Sequence, residues 1–226
     1  MKITWLGQAG LLFENENCRV MIDPYLSDSV EKVNPKNYRR VPVEPAFFEE
    51  KPDVLIFTHD HLDHYDPETA PVFLQKYSGI TVLAPTSAFR KALAVGGDHN
   101  FVDFNRHTQW TEYGIRFTAV KAVHSDHDAI GVVMEDGEKT YYITGDTLYN
   151  TEIFEDLPEH IDVVFLPVNG VGNNMNMTDA ARFAAKVGAK KVVPFHVGMF
   201  DELKAEDFPC ENKIVPEIYK EIRLAD

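Results

Sequence analysis

The chain has little cysteine, little positive charge and no long apolar run, and each shortage removes a class of protein. Its two cysteines, Cys18 and Cys210, stand far apart with no Cys-x-x-Cys spacing. That argues against a disulfide framework and against a thiolate metal site, and both are expected to be inert thiols in a reducing cytoplasm. Lys and Arg number 22 against 36 Asp and Glu, a formal net charge of −14, which would repel a polyanion, so nucleic acid is not an expected partner. No stretch approaches the roughly 20 consecutive apolar residues that span a bilayer, and the opening Met1-Lys2-Ile3-Thr4-Trp5-Leu6-Gly7 turns polar too soon to read as a signal peptide. The expectation is a soluble cytoplasmic protein without a membrane partner. Low-complexity tracts are absent as well, which sets aside disorder and coiled coil.

What is present is ordinary globular material. With 226 residues, 44% hydrophobic and 12% aromatic, the chain can bury one substantial core, and residues 1–226 are read as a single domain. Short β-type runs at Lys2 to Leu6, Leu11 to Glu14 and Cys18 to Ile22, separated by turn residues, predict an antiparallel meander. Apolar runs at Val54 to Phe57, Ile80 to Leu83, Tyr141 to Ile143, Val163 to Leu166 and Val192 to Phe195 read as strands buried on both faces. Helices are expected from Asp66-Pro67-Glu68 towards Gly79, from Thr86 to Val95 before Gly96-Gly97, and from Asp179 to Val187, the last capped by Thr178 and packing through Ala181, Ala184, Ala185 and Gly188. Hairpins around Phe117 to Val123, Ile130 to Glu135 and Lys139 to Ile143 intervene, so the pattern is sheets covered by helices, not a pure βαβ series. Leu26 to Glu50 reads as a long irregular connection. It carries Lys36, Tyr38, Arg39 and Arg40, either a receptor for an anionic substrate group or a solvated basic run.

The chemistry concentrates in Thr58-His59-Asp60-His61-Leu62-Asp63-His64, directly after an apolar run. Three histidines and two aspartates in seven residues are poor core material, since buried polar groups need compensation. Imidazole and carboxylate are ligands of borderline divalent metals, and strand ends are where sheets open an active site. Three further apolar runs end in a liganding side chain: His124, Asp146 and His196. Together they make two sets, His59, His61 and His124 on one ion and Asp63, His64 and His196 on a second, with Asp146 between them. His127 lies three residues from His124, and spacing does not choose between the two; His124 is preferred because it ends the strand. His99, His107 and His160 stand beside polar turn residues and are read as structural or exposed.

The order His59-x-His61-x-Asp63-His64, His124, Thr144-Gly145-Asp146-Thr147 and Pro194-Phe195-His196 resembles the metallo-β-lactamase superfamily over most of the chain. Trp5-Leu6-Gly7-Gln8-Ala9-Gly10, Ile22-Asp23-Pro24 and Val193-Pro194-Phe195-His196 resemble the branch that contains ascorbate 6-phosphate lactonase. The resemblance implies an α+β fold, a four-layer αββα sandwich with the metal centre at the rim between two sheets. Two cations lower the pKa of a shared water from about 15.7 towards neutrality, so the expected function is a hydrolase that uses a metal-bound hydroxide on an ester-like bond. The substrate would be a small molecule, most concretely a lactone of a phosphorylated sugar acid. Asp63 is expected to orient the nucleophile and pass a proton to the leaving group, with Asp146 as the shared carboxylate, and Asp60 to orient a histidine. Asn169 would hydrogen-bond substrate, and Lys36, Arg39 and Arg40 would meet a phosphate. The ions are read as Zn²⁺ or Mn²⁺, with Fe²⁺ also compatible with the ligands. A phosphodiesterase of the same fold is the alternative; a di-iron oxidoreductase ranks lower, because those proteins resemble a version with glutamate where His61 stands.

Overall fold

In the computed structural model, which describes residues 1–224, the amino-terminal runs pair as the expected meander. These are β1 (Lys2–Gly7), β2 (Gly10–Glu14) and β3 (Arg19–Ile22). Beyond β3 the sheet continues in parallel register through β4 (Val54–Ile56), β5 (Thr81–Ala84) and β6 (Asn100–Asp103). A second sheet begins antiparallel with β7 (Gln109–Glu112), β8 (Ile115–Lys121), β9 (Ile130–Glu135) and β10 (Thr140–Ile143), then adds β11 (Val163–Pro167) and β12 (Lys191–Phe195) in parallel. Pro194 is tolerated because β12 is the outermost of these six strands.

Side-chain alternation explains the layers. On the first sheet Leu11, Phe13, Val20, Ile22, Val54 and Ile56 join the core shared with the second sheet, while the intervening Leu12, Met21 and Leu55 pack with Phe73, Leu74 and Ala88 on the other side. Those partners lie on α2 (Ala70–Lys76) and α3 (Thr86–Val95). Between the sheets Phe13 meets Tyr141 and Phe165 edge to face, at centroid distances of 5.4 and 5.7 Å, each contact contributing about 0.5–1.5 kcal/mol beyond the area it buries. The outer face of the second sheet is covered by α4 (Met177–Val187), whose Phe183 stands 6.3 Å from Tyr142. Helices, sheet, sheet and helix form the αββα sandwich expected from the resemblance.

Several local expectations shift. The second helix begins at Ala70 because Asp66 first spends its carboxylate on a turn, accepting from Glu68 N and from the Thr69 hydroxyl. Asn176, not Thr178, caps α4, accepting from Thr178 N and Asp179 N at 2.9 and 3.0 Å. The buried face of α4 is Ala180, Phe183 and Ala184, so Ala185 and Gly188 face outwards. The connection from Leu26 to Glu50 is not wholly irregular: it holds α1 (Ser29–Val33) and a 3-10 turn at Pro45–Glu49. Strands β6 and β7 have half-exposed, weakly apolar sequences, and periodicity alone did not reveal them.

After β12 the chain returns to bind both sheets. Tyr219 N and Ile222 N donate to Trp5 O and Ile3 O on β1, while Ile214 N donates to Val192 O on β12. Two edges that would otherwise expose unpaired backbone are thereby covered. Asp156 ties the connection between β6 and β7 to the end of β8: its carboxylate accepts from Arg106 at 2.7 and 2.8 Å, from His107 at 3.1 Å and from Lys121 N at 2.8 Å. Burial alone would raise this carboxyl, but these donors hold it down at about 2. Because its folded value lies below its unfolded one, its stabilisation is present above about pH 4 and is lost as pH falls towards 2. Asp156→Asn is expected to cost about 1–3 kcal/mol at neutral pH and nearly nothing near pH 2. Chemical denaturation at both pH values checks this, and an equal loss at the two would overturn it.

Candidate metal centre

Every site side chain lies just beyond the carboxyl end of a strand, and these strands run in one direction within each sheet. The turn Thr58 to His64 follows β4, Asp23 follows β3, Gln8 follows β1, and His124, Asp146, Asn169 and His196 follow β8, β10, β11 and β12. Reversing the chain this sharply demands unusual backbone. Gln8, Asp23 and His196 have φ of 50°, 45° and 55°, left-handed values that residues other than glycine adopt only when held. At Gly145, φ is 58° and an added Cβ would stand 2.8 Å from Ile130 O and 3.0 Å from Thr58 Cβ. Only glycine lets the Asp146 segment approach the histidine turn so closely.

The expected ligands converge. His59, His61 and His124 form a nearly equilateral triangle of rings, with centroids 4.6, 4.7 and 4.7 Å apart. His124 Nε2 faces His61 Nδ1 at 3.1 Å. His64 and His196 stack at 5.5 Å. Asp146 lies among them, with Oδ1 3.3 Å from His64 Nε2 and Oδ2 3.3 Å from His196 Nε2 and 3.8 Å from His124 Nε2. Asp63 Oδ2 stands 3.2 Å from His196 Nε2. Ligand atoms of His59, His61 and His124, and those of Asp63, His64 and His196, each fall within 4.8 Å of one another. The histidine left open by spacing is thus placed: His124 joins the cluster, whereas His127 is exposed and lines a separate cavity of about 440 Å³.

Whether these residues suit a cation is decided by the lone pairs. Asp23, buried and following β3, accepts from His64 Nδ1 at 2.8 Å, from Thr58 N at 2.8 Å and from the Thr58 hydroxyl at 2.5 Å. With its hydrogen given to Asp23, Thr58 Oγ1 can only accept from His59 Nδ1, 3.1 Å away. Both rings therefore keep their protons on Nδ1 and direct Nε2 lone pairs into the cluster. The Asn173 main-chain carbonyl does the same for His124, accepting from Nδ1 at 3.3 Å; at His196 it is the Asn169 amide nitrogen Nδ2 that stands 3.0 Å from Nδ1. His59 Nε2, His64 Nε2 and Asp146 Oδ1 are buried with no hydrogen-bond partner among the described residues. Buried lone pairs facing one another are costly unless a cation sits between them, and an imidazole and carboxylate donor set suits Zn²⁺, Mn²⁺ or Fe²⁺.

The electrostatics agree. Burial and the neighbouring His64 push His59 well below the ordinary histidine value. For His196 burial is outweighed by Asp146 and Asp63, which push it up to about 9; Asp146, Asp23 and Asp63 likewise raise His64. Burial would raise the carboxyls of Asp63 and Asp146, but His64 and His196 hold both well below the usual range. These acids favour positive charge at Nε2 of His64 and His196, whether it is a proton or a metal ion competing for the same lone pair.

Other expected site residues fall elsewhere. Asp60 orients no histidine: its carboxylate pairs with Lys91 at 2.9 Å and its N–H donates to Asp126, because the turn directs it outwards. Arg39 is a buried strut, its side chain 2% exposed, and it donates to Tyr25 O, Val41 O and the Tyr219 hydroxyl. Arg40 lies over the Tyr38 ring and donates to its hydroxyl, while Lys36 is exposed. None of the three lines the cavity at the cluster. Sequence reading also passed over Asp23, Thr58, Asn174, whose Nδ2 donates to Asp146 Oδ2 at 2.8 Å, and Gln8, whose Nε2 donates to Asp63 Oδ2 at 2.7 Å. Asp23 had the same signal as Asp146, an acid closing an apolar run. Cys18 is buried, which pushes its thiol up to about 12, and Cys210 is half-buried.

Comparison with known proteins fits this arrangement. Residues 2–196 match the family described as the Beta-lactamase superfamily domain, and the chain belongs to that superfamily. A UPF0173 metal-dependent hydrolase of Exiguobacterium is 31% identical, covering 91% of this chain and 90% of its own, so the chain also belongs to the UPF0173 family. Among solved structures, a possible metal-dependent hydrolase from Veillonella parvula superposes with a TM-score of 0.77 at 18% identity, over 99% of both chains. Igni18, a metallo hydrolase from Ignicoccus hospitalis, gives 0.71 at 20% identity over 98% of this chain and 97% of its own. At these identities the two structures support the shared fold.

Chelator-stripped protein should take up two divalent ions per chain, counted by elemental analysis. Asp23→Asn should weaken uptake about 10–100-fold in competition with a metallochromic chelator. Unchanged affinity in that variant would remove its control of the two imidazoles.

Proposed function

We propose that the protein is a metal-dependent hydrolase of ester-like bonds in small molecules, with a lactone as the most concrete substrate. The observation that carries this reading is the meeting of two donor sets around Asp146, open on one side to a cavity of about 260 Å³ that Asp63, Asp146, His61 and His196 help to line. Two bound divalent ions would supply carbonyl polarisation and a water acidified to a pKa near 7. His59, His61 and His124 would hold one ion, Asp63, His64 and His196 the other, and Asp146 would serve both. No serine or cysteine nucleophile is needed.

The remaining chemistry falls to this chain's side chains. Asp63 is the ligand carboxylate best placed for proton transfer, since its side chain is 18% exposed against 5% for Asp146. Its Oδ2 is fixed by Gln8, and no described hydrogen bond engages Oδ1, which leaves that oxygen to take a proton and deliver it to the leaving alkoxide. Asn169 lines the cavity while touching His196, so one carboxamide both steadies a ligand and meets substrate. The phosphodiesterase alternative has less support, because no lysine or arginine among the described residues lines the cavity and the ions alone would have to neutralise a phosphodiester.

With Mn²⁺ or Zn²⁺ restored, the protein is expected to open small lactones. His61→Ala should abolish turnover and lower metal content with the fold retained by circular dichroism. Asp63→Asn should lower kcat about 10²–10⁴-fold. Full activity in His61→Ala would end the proposal.

A further inference from the structure

The cavity beside the metal centre differs in character from the basic segment that the sequence offered as its anion receptor. Its walls beyond the ligands are apolar at Val30, Val171 and Phe200 and neutral at the carboxamides of Gln8, Asn37 and Asn169. The one further charged wall residue is Asp201, whose carboxylate accepts from Gly198 N and Leu203 N. Among the described residues no lysine or arginine lines it. Arg39, on the segment that supplies Asn37, cannot simply swing in: its guanidinium donors are committed to Tyr25, Val41 and Tyr219.

We infer that the substrate is uncharged, carrying neither phosphate nor carboxylate, and presents an apolar body to the wall formed by Val30, Val171 and Phe200. This rests on the hydrolytic reading of the same centre. An anionic tail lying against these walls, beyond the ions, would lose its hydration, find no basic side chain to replace it and face Asp201, an expensive transfer. A neutral ring or chain meets no such penalty. Val171 is 64% exposed, on a segment where Gly170 N donates to Met175 O and Met175 N to Thr147 O, so its apolar surface is held over the cavity for a ligand to cover. Phe200 is likewise fixed, edge to face on Tyr25 at 5.7 Å. Carboxamides give such a substrate both donors and acceptors without requiring it to be charged. At about 260 Å³ the space suits a ligand smaller than an ordinary drug.

The test uses matched pairs on the metal-loaded chain: an alkyl-substituted lactone against the same lactone ending in a carboxylate or a phosphate. The uncharged member should have at least a tenfold higher kcat/KM, and Asn37→Lys should shift the ratio towards the anionic member. Calorimetry with the corresponding alkyl lactam and its carboxylated counterpart reads selectivity without turnover. Tighter binding of the uncharged lactam with no lactone hydrolysis would defeat the hydrolytic reading and uphold the substrate class. Hydrolysis or binding that favours the anionic member equally or more would overturn the inference and leave hydrolysis standing.

Discussion

The arrangement of lone pairs at the centre depends on one buried carboxylate. Asp23 receives the Thr58 N–H, the Thr58 hydroxyl and His64 Nδ1, and through that hydroxyl it also decides which nitrogen of His59 carries the proton. Two imidazoles of two different donor sets thus take their tautomers from a residue outside both sets. The control is electrostatically economical: an acceptor-only group buried beside three donors is fully satisfied, and each donor is left with a single orientation. Without it the rings could place an N–H where the Nε2 lone pairs now meet Asp146. The position of Asp23 depends in turn on parallel pairing of β3 with β4, which sets Ile22 opposite Ile56 and brings the two strand ends side by side.

That geometry puts strain where the strands end. Gln8, Asp23 and His196 each occupy left-handed backbone directly after a strand, a cost of order 1–3 kcal/mol apiece. The sandwich tolerates it because each residue is held on several sides. Gln8 O accepts from His196 N at 2.9 Å and from Trp5 Nε1 at 3.0 Å, joining the end of β1 to the end of β12. Asp23 N donates to Ile56 O at 3.0 Å. The strained residues of the two sheets brace one another across the rim, so the centre is made by both sheets and belongs to neither. Val192 and Trp5 are then gripped again by the returning carboxyl-terminal segment, which steadies the edge strands carrying His196 and Gln8.

How much of this could be read in advance follows from how local each signal is. The histidine turn was legible because five of the seven residues from Thr58 to His64 are histidine or aspartate, against the core pattern set by Val54 to Phe57; Asp146 and His196 were legible because each closes a strong apolar run. The layers were legible from runs buried on both faces, whereas β6 and β7, half-exposed and short, gave no periodicity to find. Asn174 left no trace, since its bond to Asp146 is made by a loop whose path is set by the Asn169–Asn176 bridge and not by composition. Asp60 misled because proximity in sequence to ligands says nothing about direction in a turn, and it pairs with Lys91 instead. Arg39 misled more deeply. A basic residue in an acidic chain invites a functional reading, but its neighbours offered two oxygens of the main chain and a phenol, and the fold consumed its charge as a strut.

The fate of Arg39 bears on how such a centre acquires selectivity. The proposed ligands stand at the ends of strands in two sheets, packed against one another. The cavity walls come from connecting segments: Val30 from α1, Asn37 from the loop after it, Val171 from the loop before α4, and Phe200 from the return after β12. Connections tolerate substitution that sheets do not. On the proposed reading, reaction chemistry and substrate choice are therefore carried by separable parts, and a change of one wall residue would alter the charge of the accepted substrate without moving a proposed metal ligand. In this chain the basic segment borders the cavity yet spends Arg39 on binding its own loop to Tyr219, and the walls are left without a lysine or arginine.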